Sequence, residues 1–329
     1  MRCRKTKGKV KIMKLTFEEI KSITVGAVNM REEETGIHFY KCTDKQNEAW
    51  DKLSETLGLR ARTTTGVRLD FITNSQKLTM KATGGKFEIY VDNLLRTQHV
   101  LSGFTEITEE FSAPLGDKKD SYRVTVCFPS HGIGVLESFS LDDGATFTAP
   151  EYGVKMLMIG DSITQGWNAK YDTFSYAYRV SRFFNANSVI QGIGGAFYHE
   201  TTFDSIDFDP DIVTVAYGTN DFNRYRTYDE FRGHVKAHLA LIANEYKGKK
   251  IFVLSPIWRS DLQERPMGTF EGARQIVIDE ALALGLIHID GLKLVPPMKE
   301  LFADAHLHPN DEGFSQYAEN LIKEMQKYL

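Results

Sequence analysis

The sequence predicts an α/β fold: a parallel sheet with helices on both faces, preceded by a β-sandwich. Three observations carry this. From about residue 151, short apolar runs alternate with helical stretches, as in βα units that build a parallel sheet. Residues from about 15 to 150 instead show short alternating segments between turn signals, the mark of a sandwich. The chain has 329 residues, a length that favours two domains.

The chain opens on a basic stretch, Met1 to Lys9, followed by Val10 to Leu15, where lysines interrupt the apolar residues. No apolar h-region follows, so a signal peptide is not read. Residues 1–14 are expected to form a disordered leader, with Met13 as an alternative start that the intact mass of the native protein would settle. The sandwich strands are read at Gly36–Tyr40, Val67–Ile72, Lys77–Lys81, Lys86–Val91 and Tyr122–Phe128. Turns fall at Thr73–Ser75, Thr83–Gly85, Pro114–Asp117 and Ser130–Gly132. Asp44–Leu57 has a helical pattern and reads as an insertion. A turn-rich junction, Leu141–Thr146, places the domain boundary near Pro150, giving domains 15–150 and 151–329.

In the second domain, Val154–Gly160 is a buried strand that ends in Gly160-Asp161-Ser162. Helices are expected at Thr173–Asn187, Tyr228–Tyr246, Phe270–Gly285 and Asp311–Leu329. Strands are expected at Ser188–Ile190, Ile212–Tyr217, Lys250–Ser255 and Leu286–Asp290. Gly285 reads as the residue just past a helix end. In a parallel sheet the strand exits lie along one edge, where such folds bind ligands. Ser162 sits at such an exit, and a helix N-terminus just after it would aim backbone N–H groups at the same spot. Capping that helix is its plain structural alternative.

Composition narrows the class of function. Hydrophobic residues make up 42% and the net charge is −4, which gives no reason to propose nucleic acid or an anionic membrane as partner. Cys3, Cys42 and Cys127 are scattered without metal or redox spacing, so they read as free thiols. No apolar run reaches membrane-spanning length. Cytoplasmic location is the default expectation; the oligomeric state is not readable.

Four blocks then appear in order: G-D-S-I-T at Gly160–Thr164, G-I-G-G at Gly192–Gly195, G-T-N-D at Gly218–Asp221 and H-P-N at His308–Asn310. Together they resemble the SGNH hydrolases of the GDSL esterase/lipase superfamily, over roughly Tyr152 to Leu329. The resemblance implies a flavodoxin-like parallel sheet. SGNH hydrolases acting on carbohydrates often carry an N-terminal jelly roll, as carbohydrate esterase family two does, and the sandwich domain fits that arrangement. Binding sugar, covering one side of the site and stabilising its neighbour are all open roles for it.

Serine needs a base to become a nucleophile. His308 is the candidate, matched by H-P, and His306 is its neighbour on the same side of an extended segment. Most family members have an aspartate three residues before the histidine, where this chain has Ala305. Asp304 lies four before. Either a one-residue bulge brings Asp304 to His308, which is the favoured reading, or a backbone carbonyl orients the imidazole. The resemblance implies an oxyanion hole made by the Ser162 N–H, the N–H of a block-two glycine (Gly195, with Gly194 second) and the Asn220 amide. Asp161 and Asp221 read as turn supports. Trp258, Arg259, Trp167 and Tyr198 are candidates for substrate contact. The expected activity is serine-dependent hydrolysis of short acyl esters, acetyl first, on a small-molecule or oligosaccharide substrate, with no metal or cofactor. Lysophospholipase or thioesterase activity is the alternative within the enzymes. A non-catalytic carbohydrate-binding protein is the alternative outside them.

Overall fold

A computed structural model describes residues 12–112, 116 and 118–329. The leader expected at residues 1–14 falls mainly on residues outside this range, as does most of the turn read at Pro114–Asp117. Ile12–Lys14 corrects that reading: it is a strand, β1, paired antiparallel with Val135–Asp142.

In chain order the N-terminal half continues with α1 (Phe17–Ser22), β2 (Thr24–Val25), β3 (Asn29–Glu33), β4 (Gly36–Tyr40), α2 (Asp44–Leu53) and α3 (Glu55–Ala61). Then come β5 (Arg68–Thr73), β6 (Lys77–Thr83), β7 (Gly85–Val91), β8 (Leu94–Leu101), β9 (Thr105–Glu110), β10 (Tyr122–Cys127), β11 (Val135–Asp142) and β12 (Phe147–Thr148). One sheet runs β3-β4-β11-β6-β9 with β1 against β11. The other runs β12-β5-β10-β7-β8 with β2 against β5. Both are antiparallel throughout. Alternate residues of β6 (Leu78, Met80 and Ala82) turn inward to meet Phe87, Ile89, Val124 and Val126 of the other sheet in one core. This is a sandwich.

The expected insertion at Asp44–Leu57 is two helices, α2 and α3, broken at Ser54, whose backbone is extended. Strands β3, β8, β9 and β11 were not read from the pattern. β3 and β9 are sheet-edge strands with mostly charged or polar side chains, so they lack the alternation that marks a half-buried strand.

The C-terminal half is β13 (Val154–Gly160), α4 (Ser162–Gln165), α5 (Tyr176–Phe183), β14 (Ala186–Gly192), β15 (Ile212–Ala216), α6 (Asp221–Arg224), α7 (Tyr228–Glu245), β16 (Lys250–Leu254), α8 (Phe270–Ala283), β17 (Ile287–Ile289) and α9 (Asp311–Met325). Its sheet has the order β14-β13-β15-β16-β17, all parallel. That is the flavodoxin-like order, with β13 at the switch point. Leu157 and Ile159 of β13 face one core, with α7 and α8; Met156 and Met158 face the other, with α5 and α9. Burial on both faces explains why β13 reads as a continuous apolar run.

The helix expected over Thr173–Asn187 ends earlier, at Phe183. Asn185 takes a left-handed conformation, φ 45°, which asparagine tolerates better than most residues. α8 ends as expected: Gly285 has φ 70°, and its N–H and that of Leu286 donate to Leu282 and Ala281, a Schellman closure.

The two halves share a core. Trp50, Leu57 and Ala61 of α2 and α3 pack among residues of the parallel sheet's α7–α8 face. Polar contacts join them too: Arg68 donates to the Ala186 carbonyl at 2.7 Å, and the buried Glu88 accepts from Asp172 N–H and Thr173.

Candidate active site

Ser162, Gly195 and Asn220 follow β13, β14 and β15, so parallel pairing brings all three to one sheet edge. Ser162 begins α4, a helix of four residues, and the Asp161 carboxylate caps it by accepting from Ile163 N–H. Ser162 is buried, 6% exposed.

The C-terminal block arrives on a tight loop. Ala303 N–H donates to His308 C=O, and Phe302 bridges to Pro309, so the two arms of the loop hold each other. Asn310 then caps α9 by accepting from Gly313 N–H. Ser162 Oγ and His308 Nε2 lie 2.9 Å apart. His308 Nδ1 and Asp304 Oδ2 lie 2.6 Å apart. An ionised carboxylate only accepts, so Nδ1 carries the proton and Nε2 presents its lone pair to the serine hydroxyl.

Asp304 reaches His308 across four residues because Ala305 adopts φ 59°. The left-handed residue takes up the extra position. It also lets Asp304 Oδ1 accept three successive N–H groups, of His306, Leu307 and His308, at 2.8–3.0 Å. Burial would raise this carboxyl, but those N–H groups and His308 hold it well below the usual carboxylate range. Burial lowers the imidazole of His308 from its ordinary value, against the pull of Asp304. His306 is more exposed, with Nδ1 3.6 Å from Asp304 Oδ1.

The three glycines of G-I-G-G do different things. A Cβ on Gly192 would lie 2.5 Å from Gln165 N, so its absence lets α4 seat against β14. Gly194 N–H is taken by Gln165 Oε1 at 2.7 Å. Gly195 has φ 85°, and its N–H has no partner among the described residues; nor has that of Ser162. The Asn220 amide donates to Ala196 C=O at 2.9 Å, which fixes its plane and leaves a second N–H. Asp221, wholly buried and raised to about 7 by that burial, accepts from Gly218 and Tyr198 N–H and holds the two loops together.

Of the four residues read as substrate contacts, two are corrected. Tyr198 is fully buried among Tyr217, Phe231 and His238. Arg259 is 2% exposed and engaged by Asp261 at 2.6 and 2.7 Å and by Thr219 C=O at 2.8 Å. It therefore props the segment that carries Asn220 and has no face for a sugar. Trp258 is half-buried against Phe302. Trp167 stands at the site: its ring lies 6.3 Å from His308 and 5.2 Å from His131, with the Arg60 guanidinium 5.3 Å above it. Arg60, Gln165 and His131 were not singled out from the sequence. Nothing local marks them, since their place depends on how the halves pack.

One cluster among the described residues has metal-ligand chemistry: His199, Glu200 and His234. Each of the three side chains already has a protein partner. His234 Nδ1 bonds Glu200 at 2.7 Å, His199 Nδ1 bonds Thr201 at 2.8 Å, and the two imidazoles stack at 4.7 Å. No helix among the described residues is long and apolar enough to cross a membrane.

Fold and site define a class: an α/β domain with a serine, histidine and aspartate in hydrogen-bonded series. Residues 158–315 match the GDSL-like Lipase/Acylhydrolase family; the protein is an ester-cleaving enzyme. No curated protein sequence matches the chain. Solved structures match almost its full length. The salicylyl-acyltransferase SsfX3 from a tetracycline biosynthetic pathway superposes with a TM-score of 0.83 at 17% identity, covering 98% of each chain. A putative GDSL-like lipase from Bacteroides ovatus gives 0.73 at 16% identity, covering 96% of this chain and 98% of that one. A family two carbohydrate esterase from Cellvibrio japonicus gives 0.69 at 15% identity with the same coverage. At these identities the likeness concerns the fold, including the N-terminal sandwich.

Proposed function

We propose that the protein is a serine esterase that removes short acyl groups, acetyl first, from a carbohydrate or similar alcohol through an acyl-enzyme. Ser162 Oγ attacks the ester carbonyl while His308 Nε2 takes its proton. The oxyanion is received by the N–H groups of Ser162 and Gly195 and by the Asn220 amide. Collapse breaks the bond to the alcohol, which leaves with the proton from His308. Water then attacks the acyl carbon and gives its proton to His308. The Ser162–acyl bond breaks, Ser162 recovers that proton, and the carboxylic acid departs. Each donor to the oxyanion contributes about 2.7–4 kcal/mol to such a step.

The observation that carries the reading is the unbroken series from Ser162 to His308 to Asp304, at 2.9 and 2.6 Å, beside two unpartnered N–H groups. Trp167 at the rim offers a flat apolar face of the kind sugars stack on. The carbohydrate esterase fold-neighbours support the substrate class by analogy. A second reading has its own support in the acyltransferase neighbour, whose TM-score is higher: the same acyl-enzyme would pass its acyl group to an acceptor alcohol in place of water.

Release of p-nitrophenol from p-nitrophenyl acetate tests the reading. Turnover by the wild type that vanishes in Ser162→Ala is expected. Turnover surviving in a folded Ser162→Ala protein rejects Ser162 as nucleophile. A rising preference for longer acyl chains would favour the lysophospholipase or thioesterase alternative. No turnover by the wild type would favour a carbohydrate-binding protein. Partition of the acyl group to added alcohol measures the transferase reading.

A further inference from the structure

The side chain that grips the Gly194–Gly195 peptide belongs to the other domain. Arg60, on α3, donates from Nη1 to Gly194 C=O at 2.8 Å. That carbonyl and the Gly195 N–H are the two ends of one peptide unit. The peptide is trans, as no cis bond is found among the described residues, so C=O and N–H point in opposite directions. A guanidinium that grips the oxygen therefore fixes where the N–H points. It also draws electron density toward the oxygen, which makes the N–H a stronger donor.

The next peptide back is held from the same side. Gly194 N–H donates to Gln165 Oε1 at 2.7 Å, and Gln165 Nε2 donates to Ser130 C=O of the sandwich at 2.7 Å. Arg60 is itself held. Its aliphatic stem passes Gly194, its guanidinium lies over Trp167, and its own carbonyl accepts from the buried Lys41 ammonium at 2.9 Å. Lys41 also donates to Thr63 C=O and Oγ1. No carboxylate of the described residues lies within ion-pair distance of Arg60, so the Gly194 carbonyl is its polar partner in the protein.

We infer that Arg60 is a positioning residue of the oxyanion hole, and that the sandwich domain is thereby part of the catalytic unit. This deepens the proposed function and rests on it. A flexible G-I-G-G loop would sample orientations in which Gly195 N–H points away from the substrate. Holding the loop before substrate arrives removes that reorganisation from the chemical step. The effect belongs to the chemical step, because negative charge builds on the carbonyl oxygen only as Ser162 adds and is absent in the bound ester.

The test compares the full-length wild type with Arg60→Gln, Arg60→Lys and Arg60→Ala on p-nitrophenyl acetate, with Ser162→Ala as reference. In Arg60→Gln, kcat is expected to fall about 10-fold or more, up to the about 10²–10³ that loss of an oxyanion donor costs, while KM changes less than about threefold. Arg60→Lys keeps one donor on a flexible stem and recovers part of kcat. Millimolar guanidinium ion restores part of kcat to Arg60→Ala and none to Ser162→Ala. Wild-type kcat in Arg60→Gln, a loss confined to KM, or no recovery with Lys or guanidinium would overturn the inference. So would an Arg60→Gln protein that no longer unfolds at the wild-type midpoint, for Arg60 would then be a folding residue. Wild-type turnover that does not depend on Ser162 would instead reject the serine mechanism itself, whatever the Arg60 variants do.

Discussion

His308 and Asp304 set the pH behaviour of the site. The imidazole must be neutral to accept the serine proton, and burial holds it below its ordinary value of about 6.5. On the proposed mechanism, activity is expected to fall as pH drops through that lowered value. A profile of kcat/KM against pH should show its acidic limb centred below about 6.5; a limb centred above 7 would contradict this environment. Asp304 opposes the burial of His308, so in Asp304→Asn the limb should move to still lower pH. Its kcat should fall by up to about 10⁴, because an asparagine can hold the imidazole in the wrong tautomer. An unchanged kcat would take Asp304 out of the mechanism. The candidate serine, histidine and asparagine were legible because each sits in a short motif. The aspartate was legible only as a choice, since counting residues cannot show whether a loop bulges.

At the scale of elements, that bulge is one residue, Ala305, at φ 59°. A non-glycine residue there costs about 1–2 kcal/mol, and a β-branched one more. Ala305→Val should lower the unfolding midpoint and reduce kcat, because the same turn carries Asp304 to His308. Ala305→Gly should keep activity and lose no stability. If Val and Gly behave alike in thermal unfolding and turnover, the turn is not strained in the way its dihedral implies. The strands with a clear apolar pattern, alternating in β6 and continuous in β13, were readable because burial on one or both faces leaves a pattern in sequence. The polar edge strands β3 and β9 left none, although they pair along their length. The capping box Thr16–Glu19, which starts α1, was present in sequence and would have announced that helix.

Across the whole molecule the two halves behave as one packed body. Trp50 is 1% exposed and sits in the core that also holds Phe197 and Val213. Its ring meets Phe197 edge-on at 5.9 Å, two residues after the G-I-G-G block ends at Gly195. Trp50→Ala should cost about 3–5 kcal/mol, read from denaturant unfolding. A loss under 1 kcal/mol would mean that α2 is a loosely attached insertion. The sandwich thus has a role that the composition of its strands does not announce: it closes the core of its neighbour and presents α3 to the Gly194 peptide.

Sequence by itself determined the α/β class, the sandwich before it, the order of the four blocks and the family they resemble. These follow from local period and short motifs, which are properties of neighbouring residues. Tertiary structure alone decided that Asp304 meets His308, that Tyr198 and Arg259 are buried, and that Arg60 grips a carbonyl 134 positions away. Such partners are chosen by packing in three dimensions. Hydrophobic pattern records which face of an element is buried and carries no record of which side chain lies against it.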